Sequence, residues 1–204
     1  MQSAEIELKF RVASLPDLES RLYALGFRLD TPRTFESNTL YDTPARDLKA
    51  RGELLRVRQY GARHVVTHKR HPENESVGTP YKVRIETESE VADGSALAEI
   101  FTRLGYGPSF RYEKFRSEWS HPAEPFAHLV VDETPIGNFA EVEGPAAWID
   151  RTLAELGISP GDCLTESYGR LFLSWKRATG SPAEHLTFDE IEPAAQAALA
   201  PALR

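Results

Sequence analysis

From residue 5 to residue 12 charged and apolar side chains alternate without a break. Glu5, Glu7, Lys9 and Arg11 fall on one parity, and Ile6, Leu8, Phe10 and Val12 on the other. Successive side chains of a strand point to opposite faces, so this segment predicts one wholly charged face and one wholly apolar face. The pattern recurs. Arg56 and Arg58 oppose Leu55 and Val57; Lys82, Arg84, Glu86 and Glu88 oppose Tyr81, Val83 and Ile85; Lys114 and Arg116 oppose Phe115 and Trp119. Lys69 ends another such segment, Asp132 shares its face with Val130, and Glu141 and Glu143 flank Val142. A lone surface strand turns its charged face to bulk water. Recurrence on so many strands, with acids and bases mixed, instead predicts a wet, charged interior. A dry interior would cost several kcal/mol per buried ion, so the inner face must hold water, a metal and a polyanion, or be paired throughout.

Strands are expected at residues 4–12, 37–43, 53–60, 63–70, 80–90, 110–120, 127–133 and 138–144. A hairpin should turn at Gly61-Ala62. Helices are expected at 15–25, 94–104, 146–156 and 164–175, on the spacing of Leu18, Leu22 and Leu25, of Leu97, Ile100, Phe101 and Leu104, of Ile149, Leu153 and Leu156, and of Tyr168, Leu171, Phe172 and Trp175. Ser14, Pro16 and Gly26 supply start and stop signals for the first. The polar stretch His71 to Thr79 predicts a mobile loop. Antiparallel strands with helices that do not alternate one for one indicate an α+β fold on a curved antiparallel sheet or barrel. Glu5-Ile6-Glu7, Glu86-Thr87-Glu88 and Glu141-Val142-Glu143 lead into runs ending at Leu25-Gly26, Leu104-Gly105 and Leu156-Gly157, which suggests two similar halves near 1–80 and 81–175. One domain is expected over residues 1–178. Gly180-Ser181-Pro182 then opens a C-terminal tail, 179–204, whose Ala-rich end either packs as a helix or frays.

The net charge of −7 argues against a general nucleic-acid binder. A single cysteine, Cys163, excludes an intramolecular disulfide and a cysteine-based zinc cluster. No apolar run approaches the roughly 20 residues of a membrane span, and the first strand leaves no room for a signal peptide. A cytoplasmic protein is expected. His64 and His68 share strand parity but would lie ~13 Å apart, too far for one metal. No Walker-type loop or dinucleotide fingerprint occurs. Trp119, Trp148 and Trp175 are expected in the core.

Arg and Lys hold phosphoryl oxygens by charge-assisted hydrogen bonds. Carboxylates repel a polyphosphate unless Mg²⁺ or Mn²⁺ lies between them. A cavity carrying both sets suits a metal–triphosphate.

Glu5-x-Glu7-x-Lys9 resembles the N-terminal signature of the CYTH superfamily, the triphosphate tunnel metalloenzymes, which include class IV adenylyl cyclases, thiamine triphosphatases and inorganic triphosphatases. The resemblance extends through Leu55-Arg56-Val57-Arg58, Thr67-His68-Lys69, Arg84-Ile85-Glu86-Thr87-Glu88, Lys114-Phe115-Arg116, Val131-Asp132-Glu133 and Ile136 to Glu143, and ends at Ser167-Tyr168. It implies an eight-stranded antiparallel β-barrel, the triphosphate tunnel, with helices packed outside. It also implies a Mg²⁺- or Mn²⁺-dependent enzyme acting on ATP, thiamine triphosphate or inorganic triphosphate, most like the class IV cyclase branch. Carried onto this sequence, Glu5, Glu7, Asp132, Glu141 and Glu143 form the metal side. Lys9, Arg56, Arg58, Lys69, Lys82, Arg84, Lys114 and Arg116 grip the phosphates, and Lys9 stands where the two sides meet, the position of a catalytic residue. Glu86 and Glu88 match a middle acidic pair that either holds a second metal or orients nearby bases. The alternatives are a nucleotide- or polyphosphate-binding module without turnover and a scaffold whose charges are fully paired. Neither nucleic acid nor a membrane is an expected partner, and a homodimer is left open.

Overall fold

The computed structural model describes residues 2–73 and 80–191. Most of the expected loop before Thr79 and the Ala-rich end of the tail lie outside the described residues. The strands are β1 (Gln2–Val12), β2 (Arg28–Asp42), β3 (Leu54–Tyr60), β4 (Arg63–Arg70), β5 (Lys82–Val91), β6 (Gly107–His121), β7 (Glu124–Thr134), β8 (Gly137–Glu143) and the short β9 (Cys163–Leu164). The helices are α1 (Leu15–Ala24), α2 (Asp47–Ala50), α3 (Gly94–Arg103), α4 (Ala146–Glu155) and α5 (Tyr168–Thr179).

The strands pair antiparallel in the order β5-β4-β3-β2-β6-β7-β8-β1, and β1 also pairs with β5, which closes an eight-stranded barrel. Exchanging β1 with β5, β2 with β6, β3 with β7 and β4 with β8 maps this set of pairings onto itself. The two halves foreseen in the sequence are therefore related by the topology. Closure leaves the eight strands no free edge, and β9 adds two residues beside β1.

The apolar parity faces outward. Leu8, Phe10, Val131, Ala140 and Val142 form a buried cluster with Leu18 and Leu22 of α1 and with Trp148, Ile149 and Leu153 of α4. Ser14 caps α1, accepting from the Asp17 amide, and Asp93 caps α3, accepting from Ser95 and Ala96. Gly61 takes φ +56 in the two-residue turn between β3 and β4, a left-handed conformation that favours glycine.

A second cluster closes one end. Leu171 and Phe172 of α5 pack with Tyr112 and Phe139, whose side chains share the inward parity, and with Ala183, Leu186 and Ile191. Leu186 exchanges backbone hydrogen bonds with Arg111 and Glu113 beside β6. The described part of the segment expected as a tail thus packs on the barrel through Ile191.

Several boundaries differ from expectation, and two of the differences have a clear local cause. β2 starts at Arg28, well before residue 37, because register shifts around Thr31 and Thr34 absorb Pro32. The last helix starts at Tyr168, because Cys163 and Leu164 pair with β1 and Ser167 provides the cap.

Candidate active site

The inward parity of the barrel surrounds a cavity of about 420 Å³. Its walls include Glu5, Lys9, Arg56, Arg58, Lys69, Lys82, Glu86, Glu88, Lys114, Arg116, Glu141 and Glu143. Twelve of the fifteen residues singled out in the sequence therefore meet around one space. Glu7 and Asp132 are buried just behind it. Arg84 is not among the lining residues; its guanidinium donates to the Val83 carbonyl and lies 3.2 Å from His71 Nδ1.

Strand register decides which charges meet. Glu7 lies across from Lys82 on one side and Glu143 on the other, and Lys9 lies across from Glu141. Lys82 accordingly pairs with Glu7, and Lys9 with Glu141. Lys69 reaches Glu5 at 2.6 Å and Glu86 at 3.3 Å. Glu88 accepts from Thr67 at 2.6 Å and from Arg58 at 3.1 Å. Arg56 donates to the Tyr112 hydroxyl and to Thr67. Arg116 makes two 2.7 Å bonds to Asp132 and one of 2.8 Å to Glu141. The interior is thus extensively paired as well as polar.

Several inward residues were not singled out in the sequence. Glu36 and Asn38, one hydrogen-bonded to the other at 2.8 Å, are almost wholly buried on β2. Their parity matched that of the other charged faces, but Glu36 preceded the expected start of its strand. Tyr168 donates to Asp132 at 2.6 Å, and its ring lies 4.2 Å from the Lys9 ammonium and 5.0 Å from that of Lys114. Burial, Asp132 and Glu141 hold the Tyr168 hydroxyl well above the usual range, so it acts as a proton-bearing donor.

The acids divide into two kinds. Burial would raise the Glu36 carboxyl, but Lys114, Arg116 and Arg58 outweigh it and hold it at about 2. Glu141 is likewise held well below the carboxylate range by Lys9 and Arg116 against the effect of burial. Glu143 goes the other way: burial, then Glu5 and Glu7, push it up to about 8. Burial, Glu5 and Glu88 raise Glu86 to about 7, with Lys69 opposing.

Among the described residues no three acid, imidazole or thiol groups converge into a ready cation cage. Glu5 and Glu7 are held by lysines. Yet Glu143 has no ion pair among the described residues, and its own charge is disfavoured by the acids beside it. An all-oxygen donor set with excess negative charge suits a hard divalent cation.

This carries a prediction. Glu143 and Glu86 have folded pKa values above their unfolded 4.5. The stability they contribute is complete below about 4.5 and is lost as pH rises through 7 to 8. A cation bound by ionised carboxylates should offset that loss, so Mg²⁺ should raise the melting temperature more at pH 8.5 than at pH 6. Equal shifts at both pH values in thermal unfolding would count against a carboxylate cation site.

Residues 3–155 match the CYTH domain, and the chain belongs to the CYTH family. Its fold is that of a candidate adenylate cyclase from Vibrio parahaemolyticus (TM-score 0.70, 21% identity, covering 83% of this chain and 97% of that one). It is also that of a Pyrococcus horikoshii protein (TM-score 0.67, 23% identity, 84% and 99%). A third likeness is a Hippeastrum protein described as a candidate adenylyl cyclase with a dominant triphosphatase activity (TM-score 0.58, 21% identity, 86% and 96%). No curated protein sequence matches the chain. Among the described residues no helix is long and apolar enough to cross a membrane.

Proposed function

We propose that this chain is a divalent-cation-dependent phosphoryl-transfer enzyme whose substrate is a triphosphate held inside the barrel, with water as the acceptor. The supporting observation is that Arg56, Arg58, Lys69 and Lys114 line the same cavity as Glu5, Glu141 and Glu143. Bases alone would serve an anion binder; Glu143, which has no ion pair among the described residues and sits beside Glu5 and Glu7, gains a use when a cation accompanies the anion. A bound Mg²⁺ or Mn²⁺ supplies charge neutralisation and polarisation of a phosphoryl oxygen. Glu5, Glu7, Glu141 and Glu143 are the residues that would hold it. Asp132 is committed to Arg116, Lys114 and Tyr168, and we assign it to fixing those groups.

On this reading Arg56, Arg58 and Lys114 hold the phosphate chain by charge-assisted hydrogen bonds. Lys9, between the acidic strand β8 and the cavity, meets the charge that develops on the transferred group. Glu86 and Glu88 orient Lys69 and Arg58, with which they pair. The dominant triphosphatase activity described for the Hippeastrum relative supports hydrolysis. The second reading is cyclisation of ATP with release of pyrophosphate, in line with the adenylate cyclase description of the Vibrio relative.

The test is a panel of ATP, thiamine triphosphate and inorganic triphosphate with Mg²⁺ or Mn²⁺, with products followed by ³¹P NMR. Orthophosphate release that requires the cation is the expected result. Cyclic AMP with pyrophosphate would select the second reading. Binding of every triphosphate without turnover would leave a non-catalytic nucleotide- or polyphosphate-binding module.

A further inference from the structure

Glu36 is an acid on the wrong wall. It projects inward from β2, opposite Lys114 in register and one rung from Arg58, among the groups that would grip phosphate. It is fully buried. Its Oε1 accepts from Asn38 at 2.8 Å and lies 3.4 Å from the Lys114 ammonium. Its Oε2 lies 3.9 Å from Arg58 and has no hydrogen-bond partner. A fold that needed only neutral bases would leave no buried carboxylate oxygen half satisfied. Nor do those bases depend on Glu36 for a partner: Lys114 has Asp132 at 3.0 Å and Arg58 has Glu88 at 3.1 Å.

We propose that Glu36 is a positioning residue that acts as a built-in counter-anion to the phosphate grip. Its fixed charge weakens the hold of Lys114 and Arg58 on a polyphosphate so that product can leave. The inference rests on the triphosphate reading of the cavity. The physical basis is the fixed negative charge. A bound phosphoryl group must share Lys114 and Arg58 with a carboxylate that water cannot screen, because Glu36 is sealed from solvent. Phosphate affinity is thereby set below what the bases alone would give. Uniformly tight binding does not speed turnover, and slow product release limits it. Asn38, which donates to Oε1, fixes the carboxylate in this place.

The sign of the effect separates this role from a structural one. Loss of a structural ion pair should loosen the bases and weaken anion binding. Glu36→Gln keeps the shape and removes the charge, so inorganic triphosphate and pyrophosphate, titrated calorimetrically without divalent cation, should bind tighter by on the order of tenfold or more. Glu36→Asp should return affinity towards that of the unaltered protein. In turnover Glu36→Gln should lower KM and kcat together, with stronger inhibition by pyrophosphate. Asn38→Asp places a second carboxylate at the same point and should weaken binding, which provides an opposite test that does not need Glu36→Gln to fold. Unchanged or weaker binding by folded Glu36→Gln, or unchanged binding by Asn38→Asp, would overturn the proposal. If the unaltered protein itself binds neither probe, the triphosphate reading fails and takes this inference with it.

Discussion

Lys9→Met is expected to lower kcat by roughly 10²–10³-fold, the usual effect of removing one preorganised charge-stabilising donor, with a much smaller rise in KM. Lys9 is 2% exposed and pairs with Glu141 at the cavity wall, with the Tyr168 ring beneath it. Methionine keeps most of the stem and deletes the charge. Glu141 is not orphaned by the change, because Arg116 still donates to it at 2.8 Å. The fold should therefore survive, and any kinetic change should report chemistry. On the acid side Lys9 faces the residues assigned to the cation; on the other side it faces the cavity. An ammonium so placed gains most when charge builds up on the transferred group, and an interaction stronger in the transition state appears in kcat. Steady-state kinetics on the best substrate of the panel checks this. A change confined to KM would reduce Lys9 to ground-state binding.

The barrel was legible because its closure leaves a mark on every strand. Eight charged or mixed inner faces must alternate with eight apolar outer faces, and parity along Glu5 to Val12 or Lys82 to Glu88 already carries that information. The topological relation between the halves was visible only as three Glu-x-Glu repeats. The charges do not obey it: Thr67 and Lys69 on β4 correspond to Glu141 and Glu143 on β8, and Arg56 and Arg58 on β3 to Val130 and Asp132 on β7. That departure makes one wall basic and the other acidic. Pairing was the part that parity could not supply. Whether Glu5 meets Arg84 or Lys69 depends on register and side-chain reach; Arg84 is its cross-strand neighbour, yet Lys69 takes the contact. Glu36 fell just before the strand expected at 37–43, whereas β2 begins at Arg28 and carries register shifts around Thr31 and Thr34. Tyr168 arrives from a helix that is remote in sequence from Asp132, so local periodicity could indicate its burial but not its partner.

The second large effect separates acids that hold the fold from acids kept for function. Asp132 is fully buried and receives two bonds from Arg116, one from Lys114 and one from Tyr168. Asp132→Ala leaves Lys114 and Arg116 buried with one fewer counter-charge and orphans the Tyr168 hydroxyl. Breaking such a pair from one side costs about 3–5 kcal/mol, which for a domain of this size lowers the melting temperature by roughly 10 °C or more. Glu143→Gln should behave in the opposite way. Its carboxyl is already pushed up to about 8 by burial and by Glu5 and Glu7, so its ionised form works against the fold. The neutral amide should leave the melting temperature unchanged at pH 4, where the carboxyl is protonated in both the folded and the unfolded chain, and raise it above that of the unaltered protein at pH 9 without cation. Added Mg²⁺ should then stabilise the variant far less than it stabilises the unaltered chain. Thermal unfolding of both variants at the two pH values, with and without Mg²⁺, reads all of these effects. If Glu143→Gln proved as damaging as Asp132→Ala, the two acids would share one structural role, and Glu143 would have to be withdrawn from the proposed cation site.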